Sequence, residues 1–104
     1  MGTNSLLNLN PLLTDRVRLS IMAALVGRTE PIDFNSLLEA LEVSKGNLST
    51  HIRRLEEAKL VEVEKSFVGR KPLTTYRCTK RGREEMQAYL KQLELAFNGK
   101  GKER

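Results

Sequence analysis

Apolar residues return every three or four positions through most of this chain, and the places where that rhythm fails mark its turns. Val17, Ile21 and Leu25 recur at four-residue spacing, predicting an amphipathic helix to about Val26, with Arg16, Arg18 and Ser20 off the apolar face. Thr14 stands where an N-cap hydroxyl belongs, Asp15 adds negative charge at the positive end of the helix dipole, and Gly27 ends the segment. Pro31 and Ile32 read as a short extended stretch leading to Asp33, a cap for a second helix whose stripe is Phe34, Leu37, Leu38 and Leu41. Glu42 and Val43 make a tight connection. Ser44 then caps a third helix with Leu48, Ile52 and Leu55 inward, and so short a connection between two helices is helix-turn-helix spacing.

Beyond Lys59 the period changes to two: Val61, Val63 and Lys65 alternate with Glu62, Glu64 and Ser66, as in a half-exposed strand. Val68 to Pro72 supplies turn residues and positive charge, and Leu73 to Cys78 returns as the partner strand, with Tyr76 and Cys78 facing inward. Thr79 caps a last helix to about Phe97, with Met86, Tyr89, Leu90, Leu93 and Phe97 along ~27 Å of its length. Residues 1–13 hold five leucines around Pro11, which breaks a continuous helix, and read as a sticky arm; 98–104 read as a disordered Gly/Lys-rich tail. The expectation is one domain over 14–97, mainly α with a small β-hairpin: a three-helix core, a wing and a long C-terminal helix.

Charge sharpens this picture. Residues 1–44 carry three Lys/Arg against five Asp/Glu, while 45–104 carry fifteen against eight, so the net +5 is concentrated where the third helix and hairpin lie. Such asymmetry suits a polyanion, because each cation placed near a phosphate releases condensed counterions. The longest apolar run, Ile21 to Val26, is far below the ~20 residues a membrane span needs, and no basic segment followed by an apolar stretch opens the chain. One cysteine and one histidine can form neither an internal disulfide nor a Cys/His metal cage, so no metal or cofactor is expected and a reducing cytoplasm fits.

At this point LTDRVRLSIMAAL, followed by FNSLLEALEVSKGNLSTHIRRLEEAKLVEVEKSFVGRKPLTTYRCTKRGREEM, resembles the winged helix-turn-helix regulators of the MarR and ArsR groups, nearest a small single-domain branch. The likeness spans residues 12–90 and is most specific from Ser44 to Gly82. It implies that the third helix reads the major groove, that the wing touches backbone or minor groove, and that terminal helices build a homodimer. Two positions depart from it. Lys59 stands where relatives favour glycine in a left-handed turn, and Cys78 where they favour leucine.

On a helical wheel the third helix turns Gly46, Ser49, Thr50, Arg53 and Arg54 away from its apolar side, a face small enough at its start to enter a groove ~12 Å wide. Arg53 can reach a guanine edge through two parallel hydrogen bonds, while Lys45, Asn47 and the backbone N–H groups beside them suit phosphate oxygens. The plainer reading is that Arg53 and Arg54 solvate a surface helix, Arg53 pairing with Glu57. Gly69, Arg70 and Lys71 at the wing tip point to the same duplex, Arg70 either entering the minor groove or contacting phosphate. His51 reads as a core-margin residue or phosphate contact, and Cys78 as packing rather than a redox sensor. Surplus apolar area at Leu6, Leu7, Leu9, Tyr89, Leu93 and Phe97 calls for a two-fold dimer interface. No nucleophile, base and orienting acid can be assembled, and no residue set names an effector, so the reading is a DNA-binding homodimeric transcription repressor, not an enzyme. The competing reading is a winged-helix module that binds another protein.

Overall fold

The computed structural model describes residues 5–98, which run as a 3-10 turn (Ser5–Asn8), α1 (Pro11–Thr14), α2 (Arg16–Val26), β1 (Ile32–Asp33), α3 (Phe34–Leu41), α4 (Lys45–Glu57), β2 (Val61–Val68), β3 (Lys71–Cys78) and α5 (Lys80–Asn98). The helices cover one face of a three-stranded antiparallel sheet of order β1-β3-β2. Ile32 pairs with Tyr76 on one side of β3, and Val61 with Cys78 through Val68 with Lys71 on the other. This is the winged-helix arrangement expected from the order of elements. Its core is formed by Ile21, Met22, Leu25, Leu37, Leu48, Leu55 and Leu60, all essentially without solvent contact.

Local chemistry explains the boundaries. Asp33 caps α3 by accepting from the Ser36 N–H (3.2 Å) and hydroxyl (2.6 Å). Glu42 closes α3 in the left-handed region, φ 55°, with its N–H on the Leu38 carbonyl. Lys59 takes the same conformation after α4, φ 67°. Its N–H donates to Glu56 O (2.9 Å) and that of Leu60 to Leu55 O (3.0 Å), a Schellman pair that a glycine would make with less strain. Thr79 accepts from the Gly82 N–H (2.9 Å) and donates to Lys59 O (2.8 Å), fastening the start of α5 to the end of α4. Gly82 is required there: a Cβ would run into the Leu60 carbonyl and lie 2.9 Å from Cys78 Sγ.

Five expectations are corrected or refined. Pro11 interrupts the run as expected, the 3-10 turn ending at Asn8, but it also opens a helical turn of its own, standing at the start of α1 where its missing N–H costs nothing, with Asn10 Oδ1 accepting from the Leu12 N–H (2.9 Å). Thr14 ends that turn rather than capping the next helix; Asp15 caps α2, accepting from Val17 (2.9 Å) and Arg18 (3.0 Å) N–H groups. The leucines before it are not all surplus: Leu13 is wholly buried, and Leu9 and Leu12 pack on the core. Arg18, read as lying off the apolar face, is buried, because three polar acceptors surround its guanidinium. Finally, the strands run further than the turn residues suggested, leaving only Gly69 and Arg70 as the hairpin turn. Gly69 has φ +66° in the first central position that type II′ turns give to glycine. Pro72 therefore lies within β3, beyond the two positions where β1 pairs, so its lacking N–H falls on a strand with an open side.

The Cα radius of gyration is 16.0 Å and the longest dimension 62 Å. A compact domain of this length would have a radius near ~13 Å. Protruding elements account for the excess: the wing and the long α5, on which the opening 3-10 turn packs. Residues 99–104, the bulk of the expected tail, and 1–4 lie outside the described residues.

Candidate nucleic-acid interface

The outward face of α4 is built by its inward one. Leu48, Ile52 and Leu55 are buried against α2 and the sheet, which forces Lys45, Gly46, Asn47, Ser49, Thr50, Arg53 and Arg54 into solvent. Ser44 starts the helix, its Oγ accepting from the Asn47 N–H at 3.1 Å and leaving other first-turn N–H groups directed outward. Among the described residues no carboxylate forms an ion pair with Arg53, Arg54, Arg70 or Lys71, so the Arg53–Glu57 pairing of the plainer reading is not made. Gly46 adds a second sign. A Cβ there would meet nothing within 4 Å, so packing within this chain does not ask for glycine at a helical position where it costs stability.

β2 leaves α4 through the Leu60 turn and packs beside it, then carries the wing beyond the core. Exposure climbs from 2% at Val61 to 71% at Phe67. Gly69, Arg70 and Lys71 stand at the exposed tip. α4 and the wing tip are thus two separate cationic sets, consecutive in the chain and without ion pairs among the described residues. Arg16, which sequence reading left as a mere surface residue, lines a cleft with Ser20, Ser44 and Asn47 beside the start of α4. The signal for it is absent from periodicity, since only the approach of α2 to α4 creates the cleft.

Arg18 is the residue that holds α4 from beneath. Its Nε donates to Leu12 O at 2.7 Å, its Nη2 reaches Pro11 O at 3.5 Å, and its Nη1 donates to His51 Nδ1 at 3.0 Å. A guanidinium only donates, so Nδ1 accepts and the imidazole proton resides on Nε2. His51 is accordingly a core-margin residue that links α4 to α2, with Asp15 Oδ1 3.9 Å away. The Arg18 backbone N–H is the main cause that holds the Asp15 carboxyl below its ordinary 3.8, against the opposing effect of burial, with the Arg18 charge adding to it. Burial pushes the Cys78 thiol up, away from a reactive thiolate, and the side chain faces the core with Tyr76 as the strand alternation predicts. No group of His, Cys, Asp and Glu suited to a metal ion occurs among the described residues, nor a helix long and apolar enough to cross a membrane.

The apolar residues assigned to a dimer interface separate into two sets. Leu6, Leu7 and Phe97 are exposed, with Phe97 at 75%. Tyr89 is instead buried within this chain's own core, and Leu9 and Leu93 rest half-buried on it, because the first half of α5 is used to close the domain. Leu90 and Leu95, absent from that set, are exposed as well. Leu90 and Phe97 lie two turns apart on one side of α5, and the 3-10 turn bearing Leu6 and Leu7 packs on the same helix. Asn10 Nδ2 seals this junction by donating to Glu85 Oε1 at 2.9 Å.

Comparison with known proteins agrees with this geometry. An uncharacterised protein of Methanocaldococcus jannaschii is 37% identical over 83 residues, covering 79% of this chain and 89% of that protein. A transcriptional regulator homologue of Pyrococcus horikoshii has a solved structure that superposes with a TM-score of 0.84 at 33% identity, over 92% of this chain and 96% of its own. A PadR family transcriptional regulator of Eggerthella lenta superposes at 0.64 with 26% identity, over 86% and 87%. The pattern of the winged helix DNA-binding domain matches residues 17–96, most of the chain, and the protein therefore belongs to the winged helix DNA-binding domain family.

Proposed function

We propose that this chain is a sequence-specific transcription regulator that binds double-stranded DNA as a homodimer, with residues 14–97 as the binding unit. Repression by occluding the polymerase is the simplest mode of action, and a cytoplasmic setting goes with it. The observation that carries the reading is the solvent face of α4, where small residues lead and arginines without acidic partners follow. In it, Ser49, Thr50 and Arg53 read base edges in the major groove, while Lys45, Asn47, Arg54, Arg70 and Lys71 contact phosphates. The chain acts by binding, not by catalysis, and its affinity with MarR and ArsR regulators remains part of the proposal.

Self-association is supported by the exposed apolar Leu6, Leu7, Leu90 and Phe97 of the first and last described elements. A two-fold axis there would set two copies of α4 one DNA turn apart, ~34 Å. One observation favours the competing protein-binding reading, the exposed apolar Phe67 and Val68 at the wing tip; the cations around them favour DNA.

Selection of bound sequences from random duplexes, followed by anisotropy titrations at two salt concentrations, tests the proposal. A two-fold symmetric consensus and an affinity that falls steeply with salt are expected, since several phosphates are neutralised. A flat salt response would count against DNA as the partner. Arg53→Ala should relax preference at one or two base pairs, whereas Lys71→Ala should weaken all sequences alike; equal behaviour would refute the division of labour.

A further inference from the structure

The far end of the wing carries a feature that phosphate contact does not explain. Strand alternation puts Val61, Val63, Lys65 and Phe67 on one face of β2, and the register puts Cys78, Tyr76, Thr74 and Pro72 on the same face of β3. The inner end of that face is buried beneath the helices, yet Phe67 at its outer end is 71% exposed, directly opposite the exposed Pro72. Among the described residues the paired aromatic rings are Phe34 and Tyr76, and Phe67 pairs with no other aromatic ring. A single proline ring and a tight two-residue turn make this a stiff apolar prow rather than a floppy loop.

Its setting says what it would meet. Lys65 shares the face of Phe67, Arg70 and Lys71 stand at the turn just beyond it, and the two carboxylates of β2, Glu62 and Glu64, alternate onto the other face. The partner must then be anionic at its margins and apolar within, and narrow enough to admit a hairpin tip. The minor groove of duplex DNA has this form: phosphates line a cleft ~6 Å wide, with sugars and stacked bases inside.

Resting on the DNA-binding reading, we infer that Phe67 is a minor-groove wedge: the wing anchors through Lys65, Arg70 and Lys71 and inserts the Phe67 ring at a base step, unstacking it and bending the duplex toward the major groove. Unstacking is cheapest at flexible pyrimidine–purine steps and hardest in stiff A-tracts. The wing thereby adds specificity through deformability at a position where no hydrogen bond reads a base.

The test uses the full chain with two duplexes of about 30 base pairs, fluorophore-labelled at both ends, differing only in TA steps or an A-tract at the wing positions. The wild-type chain should prefer the TA duplex and raise the energy transfer between its ends. Phe67→Ala should bind the TA duplex roughly tenfold more weakly. It should also lose both the preference and the bend, while the slope of log affinity against log salt stays unchanged because no phosphate contact is removed. Phe67→Leu, which keeps an apolar wedge, should retain part of the bend. Wild-type binding with no bend, or a Phe67→Ala variant equal to wild type in affinity and energy transfer, overturns the wedge but leaves DNA binding standing. A Phe67→Ala variant whose oligomeric state changes without DNA overturns it in favour of a chain-to-chain contact, and a wild-type chain that binds neither duplex overturns the DNA reading itself.

Discussion

At the scale of single residues, the most consequential side chain is one whose charge argues against burial. Arg18 is tolerated in the core because Leu12 and Pro11 carbonyls and His51 Nδ1 replace the water it loses. Arg18→Met keeps the apolar stem but leaves the Leu12 carbonyl and His51 without that donor, at a cost of ~2–3 kcal/mol. Thermal denaturation should show a midpoint lower by about 10 °C or more. Amide exchange should quicken around His51, since the anchor of α4 is gone; unchanged exchange there would mean Arg18 serves α1 alone. Acid acts on two other side chains. Asp15 is held below 3.8 mainly by the Arg18 N–H, and Asp33 mainly by the Ser36 hydroxyl, followed by the Ser36 N–H. Folded values depressed in this way contribute stability that is present above 3.8 and disappears as pH falls through the lower folded values. Urea midpoints should therefore drop below about pH 4, and Asp15→Asn with Asp33→Asn, which keep the caps without the charge, should flatten that drop.

At the scale of elements, α4 sacrifices stability for its surface. Gly46 fills no close space in this chain, and its only evident use is to let the helix backbone approach another body. Gly46→Ala should thus stabilise the fold by ~0.5 kcal/mol while weakening duplex binding several-fold. Parallel denaturant titration and anisotropy would check this; a stabilised variant with full affinity would remove Gly46 from the interface. Lys59 and Gly82 show the opposite kind of constraint. Lys59 bears a left-handed φ because the Schellman turn must send β2 back beside α4, and Gly82 is small because α5 crosses the Leu60 carbonyl closely.

At the scale of the whole molecule, the chain exposes Leu6, Leu7, Leu90 and Phe97 on its first and last described elements. Under the proposed dimer, a second copy would cover these side chains with the same surface. Leu90→Glu combined with Phe97→Glu should convert a sedimenting dimer to monomer without lowering the melting midpoint, because neither side chain is part of the core. Duplex affinity should fall about a hundredfold as the two half-sites lose their linkage. A double variant that still sediments as a dimer would place the interface elsewhere.

The local elements were legible in the amino-acid order: the α3 and α4 stripes, the caps at Asp33, Ser44 and Thr79 and the inward Tyr76 and Cys78 follow from periodicity and short-range hydrogen bonding, while the left-handed Lys59 was flagged by the resemblance. These interactions reach no more than a helical turn or a strand repeat, so neighbours in sequence suffice to specify them. What packing alone decided lies at the borders of those patterns. Arg18 went inward, Leu13 joined the core, Tyr89 was taken up by it, and Phe67 was left outside, although each is compatible with either side by spacing alone. Which side wins depends on acceptors and apolar surface brought from distant segments, such as the α1 carbonyls under Arg18 or the end of the helical layer short of Phe67. That information exists only once the elements have closed on one another.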